Sequence, residues 1–319
     1  MLASESLMEH YVTLFDSLFL PQGLALHASL QRHGGRHTLW VLCIDDDALK
    51  TLQQLALPNM RLLAIDEVLT DALRQVMPSR SRAEWCWTLT PFTPGFVFDA
   101  DPTARRVTYV DADLWLCSSP SRIFDEFESS GKAVMITEHA YAPEYDQSHH
   151  TGRFCVQFMT FVRDRGETVR NWWAERCIEW CYARFEDDKF GDQKYLDDWP
   201  QRFPEHVHVL QNRALLQAPW NATRFAPSES VAYHFHGLRT LSRGRVLLTI
   251  GYQLPRATLM QLYRPYCKDL GLAHAQLAAC GFEPRPQVQG SRLALHYKHL
   301  KSRGIAWLHR VLTPLFMQL

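Results

Sequence analysis

Two aspartates one residue apart, Asp111 and Asp113, close the apolar run of VTYVDADLWLCSSP, residues 107–120. On an extended backbone residues i and i+2 face the same side, so an Asp-x-Asp at a strand end aims two carboxylates at one place. Like charges that close repel unless something neutralises them, and a hard divalent cation does so through oxygen ligands. The spacing alone fits a solvated turn equally well. Its setting favours the cation, because ligands of open α/β sheets bind beyond the carboxyl ends of the strands.

The elements that must hold this pair read as alternating strand and helix. Residues 11–15 form a short apolar run, and Pro21 opens a helical pattern through LPQGLALHASLQRH that stops at Gly34-Gly35. TLWVLCI (38–44) is a strand, Asp45-Asp46-Asp47 gives the helix ALKTLQQL an acidic start, and MRLLAID (60–66) repeats the theme. Near-continuous apolar strands separated by helices predict an α/β fold with a mostly parallel sheet covered on both faces. Beyond the aspartates, SSPSRIFDEF predicts a helix with Ser119 as N-cap and Pro120 at its first position. AVMITE (133–138) and FCVQFMTFV (154–162) predict further strands, and a tryptophan-rich helix follows over residues 167–184. Its Trp172, Trp173, Trp180 and Tyr182 form no single stripe, so part of the helix is buried and the aromatics serve packing rather than ligand stacking. Trp199 is expected to pack, and Lys189 and Lys194 to ride on the surface.

Composition limits what such a site serves. The 319 residues carry Lys+Arg 34 against Asp+Glu 34, a formal net charge of zero, which argues against a protein that grips nucleic acid by its phosphates. The 8 cysteines are scattered without CxxC pairs, and no secretory pattern opens the chain; both suggest a reduced, cytoplasmic setting, with Cys177 and Cys181 as core thiols. No apolar stretch approaches the about 20 residues of a spanning helix. After Glu283 no acidic residue remains. SRLALHYKHLKSRGIAWLHRVLTPLFMQL (291–319) is basic and amphipathic, and reads either as a helix docked on the main domain or as a peripheral contact with the inner face of the cytoplasmic membrane.

Four segments together carry a specific resemblance: VTYVDADLWLCSSP, FGDQKYLDDW (190–199), APWN (218–221) and YHFHG (233–237). Their order and approximate spacing resemble nucleotide-sugar-dependent glycosyltransferases of the GT-A fold. The likeness is greatest to the retaining family of glycogenin and bacterial lipopolysaccharide galactosyltransferases, in a bacterial branch with the fuller FGDQKYLDDWP string, and runs from about residue 11 to 236.

The resemblance implies a Rossmann-like GT-A domain over residues 1–250 and a helical C-terminal extension over 251–319. It implies that Asp111, Asp113 and His234 bind a divalent metal bridging the donor's diphosphate, with His236 and Gly237 nearby. Two carboxylates and an imidazole suit Mn²⁺ better than Mg²⁺. Asp192 and Gln193 correspond to the pair lining the donor sugar and the reacting face, although Gly191-Asp192 is also a good helix start. Asp16 corresponds to a nucleobase ligand, and Trp220-Asn221 to a loop on the acceptor side. The implied reaction moves a sugar from a nucleotide-diphosphate donor, best a UDP-sugar, to a hydroxyl of a glycan or glycolipid, with retention.

Three positions depart from the family pattern. Leu18-Phe19 replace an amide and a phenol after Asp16, Cys155-Val156-Gln157 replace Asn-x-Gly, and Leu238-Arg239-Thr240 replace a Lys-Pro-Trp, leaving Arg239 as a substitute phosphate ligand. These losses keep a catalytically silent binding or scaffold protein as an alternative. A sugar-nucleotide pyrophosphorylase is a further alternative, but it needs a glycine-rich basic loop after the first strand, and LFDSLFLPQG is not one.

Overall fold

The computed structural model describes residues 8–242, 244–288 and 316–318. Its centre is a seven-stranded sheet ordered β3-β2-β1-β4-β7-β6-β8. The strands are β1 (Glu9–Phe15), β2 (His37–Cys43), β3 (Met60–Ala64), β4 (Arg106–Val110), β6 (Val134–Glu138), β7 (Phe154–Val162) and β8 (Val207–Val209). Pairing is parallel from β3 through β4 and between β6 and β8; β7 alone runs against its neighbours. The fold is therefore the expected α/β arrangement with a mostly parallel sheet.

Alternation within the strands explains the layers. Tyr11, Leu39, Val41, Val110 and Phe158 join one buried cluster, whereas Val12, Trp40, Leu42, Tyr109 and Met159 join the other. A period-2 pattern with both faces apolar requires cover on both sides. One face is covered by α1 (Leu20–His33), α2 (Asp46–Leu55) and α5 (Ser121–Ser130), the other by α3 (Arg82–Leu89), α4 (Thr93–Ala100) and α6 (Glu167–Glu179). Local chemistry sets their ends. Asp45 caps α2 by accepting from Ala48 N–H at 2.9 Å, and Ser81 with Glu84 forms a capping box on α3.

Gly131 ends α5 in the left-handed region, φ 65°, and a Cβ built there meets nothing within 4 Å. Gly131→Ala therefore isolates backbone strain from packing, and urea unfolding is expected to show a loss of about 1 kcal/mol.

Several sequence expectations are adjusted. α5 begins at Ser121 with Pro120 as its N-cap, because the first helical bonds, from Ile123 and Phe124, return to the Pro120 carbonyl; Ser119 Oγ only accepts from Ser121 N–H. α6 stops at Glu179, where Trp180 turns to an extended backbone, and Tyr182 packs under the guanidinium groups of Arg80 and Arg184. Within α6, Trp173 is fully buried and meets Trp199 edge-on at 5.6 Å, so both pack. Cys177 and Cys181 are buried free thiols. Lys194 is not on the surface: its side chain is only 8% exposed, held between Asp188 and Asp197. Lys189 is half-buried against Trp180.

A second, three-stranded sheet is ordered β5-β10-β9, from β5 (Leu114–Leu116), β9 (Leu216–Gln217) and β10 (Ala232–His234). Behind it lies α7 (Arg264–Ala279), whose Tyr266 stacks on Phe235 while Asp269 accepts from Trp115 Nε1 at 2.8 Å and pairs with Arg32 of α1. The basic segment 291–319 lies outside the described residues except for Phe316–Gln318. These three form a strand rather than part of a helical extension, paired with Arg245–Leu247. No helix among the described residues is long and apolar enough to cross a membrane.

Candidate functional site

The chain runs from β1 outward to β2 and β3, then returns to place β4 on the other side of β1. Such a reversal opens a crevice beyond the carboxyl ends of the two central strands. Asp16 follows β1 and Asp111 follows β4, so both stand at its mouth. The start of β7, running the opposite way, brings Cys155 to the same edge, and the end of β6 brings His139. The resulting cavity of about 600 Å³ is lined by Asp16, Asp111, Asp113, Asp192, Gln193, Trp220, His234, His236 and Arg239 among others.

The two aspartates converge by a turn rather than by strand alternation. β4 ends at Val110, and the Leu114 N–H closes back on the Asp111 carbonyl at 3.0 Å. β5 then pairs antiparallel with β10, with Leu114 opposite His234, and Phe235 N–H donates to the Asp113 carbonyl at 2.9 Å. This register carries the imidazole to the carboxylates. His234 Nε2 lies 3.0 Å from Asp113 Oδ1 and 3.6 Å from Asp111 Oδ2. Ligand atoms of the three residues all fall within 4.8 Å of one another.

The donor set suits a divalent cation that accepts mixed oxygen and nitrogen ligands, as Mn²⁺ does. The surrounding bonds fit as well. Tyr109 OH donates to Asp111 Oδ1 at 2.8 Å, leaving Oδ2 turned to the histidine. His234 Nδ1 lies 3.0 Å from Gln157 Oε1, so the nitrogen away from the aspartates has its own acceptor.

Electrostatics separates the acids. Burial pushes the Asp113 carboxyl up, but the charge and hydrogen bond of His234 outweigh it and hold it down at about 2. For Asp111 burial prevails, helped by the Asp113 charge, and its carboxyl is raised. Burial lowers His234, yet the two aspartates hold it well above its ordinary value. His236 is lowered to about 4 by burial and the neighbouring His234 charge. Asp192 is raised to about 8 by burial and by the Asp111 charge.

Asp192 and Gln193 precede a short 3₁₀ turn, Lys194–Asp198, rather than an α-helix. Neither side chain caps it. The Asp192 carbonyl accepts from Trp173 Nε1 at 2.8 Å, and Gln193, which lines the cavity, donates through Nε2 to the Thr151 carbonyl at 2.6 Å. Asp16 is already occupied: Oδ1 accepts from Leu18 N–H at 3.0 Å and Oδ2 from Arg82 Nε at 2.7 Å. Arg82 also reaches Asp45, at 2.9 Å.

Trp220 meets His234 and His236 edge-on, each at 5.4 Å, and so walls the carboxylate cluster. Asn221 is wholly buried and does not line the cavity; its amide bridges the His139 carbonyl and Ala218 N–H at 3.0 and 2.9 Å. Gly237, φ 78°, turns the chain after His236 and brings Arg239 back to the cavity. Sequence reasoning did not single out Tyr109, Arg82 or a positive role for Gln157. Only Tyr109 had a signal, standing two residues before Asp111 in the strand that leads to it.

No protein-family model matches the chain. It is similar to two proteins of Bacillus subtilis (strain 168): the uncharacterized protein YfnF, 28% identical over 250 residues, which are 73% of this chain and 82% of YfnF, and the uncharacterized protein YfnD, 26% identical over 277 residues, 82% and 88%. Among solved structures, galactosyltransferase LgtC in complex with donor and acceptor sugar analogs matches 82% of this chain and 95% of its own, with a TM-score of 0.49 and 12% identity.

Proposed function

We propose that this protein is a metal-dependent glycosyltransferase that takes a sugar from a nucleotide-diphosphate donor, with a UDP-sugar preferred, and passes it to a hydroxyl of a glycan or glycolipid with retention of configuration. The observation that carries the reading is the meeting of Asp111, Asp113 and His234 at the crevice between β1 and β4. The ordered resemblance of four motifs supplies the reaction class.

Asp111, Asp113 and His234 would hold Mn²⁺ or Mg²⁺, which when bound supplies positive charge for the diphosphate that leaves the sugar. The chain's own groups do the rest. Asp192, enclosed and neutral near pH 7 in the metal-free protein, both donates and accepts, which fits a residue that grips sugar hydroxyls. Gln193 has its nitrogen fixed on Thr151, so its carbonyl oxygen would be the end offered to an electron-poor sugar carbon. Arg239 lies along the same cavity and fits the place of a phosphate ligand. At the β1 end, Asp16 is tied to Arg82, so base recognition falls to the pair rather than to the aspartate alone. Trp220 and His236 wall the donor site, and Asn221 and Gly237 support it from behind.

The test is a Mn²⁺ titration in the presence of UDP, followed by thermal unfolding, with a mass-spectrometric screen of nucleotide sugars for donor hydrolysis. A ligand at about 100 times its Kd adds about 2.7 kcal/mol of stability. The expected result is a rise in melting temperature that needs both Mn²⁺ and nucleotide, together with hydrolysis of one donor class. A shift without hydrolysis of any donor would point to the catalytically silent binding protein; no shift with any nucleotide would overturn the reading.

A further inference from the structure

An imidazole can ligate a cation only through a nitrogen that carries no proton, and its other nitrogen must then hold the proton and give it to an acceptor. In His234 the nitrogen facing the two aspartates is Nε2, and the acceptor facing Nδ1 is the Gln157 side-chain oxygen at 3.0 Å. Gln157 is 1% exposed, on β7 beside β4. Its main-chain carbonyl also accepts from Asp111 N–H at 3.2 Å. One residue thus bonds to two members of the cluster, by backbone to one and by side chain to the other.

The geometry points to Gln157 as the positioning residue that fixes the tautomer and ring direction of His234 and so sets the cation affinity of the cluster. The inference rests on the metal-binding reading above. Two orientations of the amide are open in principle. With Oε1 toward the ring, Nδ1 is protonated and Nε2 is free to ligate. With Nε2 toward the ring, Nδ1 becomes the acceptor, the proton moves to the other nitrogen, and the ligating lone pair is lost. Cys155 also lies against the ring, but a thiol is a weak acceptor and competes poorly with an amide oxygen. The edge of Trp220 packs the ring without offering an acceptor. The choice of glutamine over glutamate also matters: a neutral oxygen orients the ring without adding a third negative charge to two carboxylates.

The experiment measures Mn²⁺ affinity by calorimetry on the full chain for wild type, Q157M and Q157E. Methionine keeps the length of the side chain and removes the acceptor; glutamate restores an acceptor that can only accept when ionised. Loss of such an outer partner is expected to weaken binding about 10- to 100-fold in Q157M, with Q157E recovering wild-type affinity or exceeding it. Should Q157M not fold, ¹⁵N spectra of the His234 ring in the Mg²⁺ complexes of wild type and Q157E replace it, and both must show the proton on Nδ1. Equal affinity in wild type and Q157M, equal weakening in Q157M and Q157E, or a ring proton on Nε2 would overturn the role of Gln157 while leaving the metal site standing. Wild type that binds no Mn²⁺ would overturn the site itself, and this inference with it.

Discussion

Asp113→Asn is expected to abolish donor cleavage, with a loss of at least about 1000-fold, equivalent to about 4 kcal/mol of transition-state stabilisation. Asparagine keeps the size and one carbonyl oxygen but removes the charge. Asp113 is the carboxylate that His234 approaches most closely, and its carboxyl is held down at about 2, so it contributes a full negative charge at any working pH. The same change is visible without turnover. Asp113 has its folded value below the usual 3.8, so its contribution to stability is present above about 4 and lost as pH falls toward 2. His234 has its folded value raised above 6.5, so its share is complete below about 6.5 and lost as pH rises through the folded value. Between about pH 4 and 6.5 both shares are intact. In that window metal-free wild type should exceed Asp113→Asn by about 2 kcal/mol in urea unfolding. Full turnover in the variant would remove the carboxylate cluster from the mechanism.

Asp192→Asn is expected to slow donor cleavage about 100-fold while making the metal-free protein more stable in mild alkali. The two effects have one cause. A buried acid near the Asp111 charge resists ionisation up to about pH 8, whereas the same acid in the unfolded chain ionises near 3.8. Between those values the unfolded state has released a proton that the folded state keeps, so folded stability drains as pH rises, at about 1.4 kcal/mol per unit from this group alone. Asparagine cannot ionise and lacks that slope. Urea unfolding of both proteins at several values from pH 5 to 8 should therefore show curves that diverge with pH, the variant ahead at the upper end. Parallel curves would mean that Asp192 is solvated and ordinary, and would take from it the role of a neutral hydrogen-bond donor to a sugar.

The sheet was legible in the sequence because its signal is local. β2 and β7 are predominantly apolar runs, and the observed bounds of β7 coincide with the expected 154–162. The meeting of Asp111 with Asp113 was legible for a reason that differs from the observed one. Strand alternation would have aimed both side chains, but the backbone leaves the strand at Asp111, and a turn closed by Leu114 performs the convergence. The contribution of His234 was legible only through family likeness, since it depends on the β5–β10 register, a contact between segments distant in sequence. Gln157 was read as a loss because it stands where the family that the sequence resembles carries glycine. Its bond to His234 is tertiary and leaves no pattern along the chain. Lys194 was misplaced for the same reason: two aspartates, one in the preceding loop and one in its own 3₁₀ turn, enclose a charge that composition alone assigns to water.

The pairing of β5 with β10 bears also on the order of events during synthesis and folding. The stretch carrying both aspartates leaves the ribosome long before the strand carrying the imidazole, and closing so large a loop costs entropy that local contacts cannot offset early. The nascent chain therefore holds only acidic oxygens at this position until β10 docks. If the cluster holds a cation as proposed, its full donor set exists only once β10 has paired with β5.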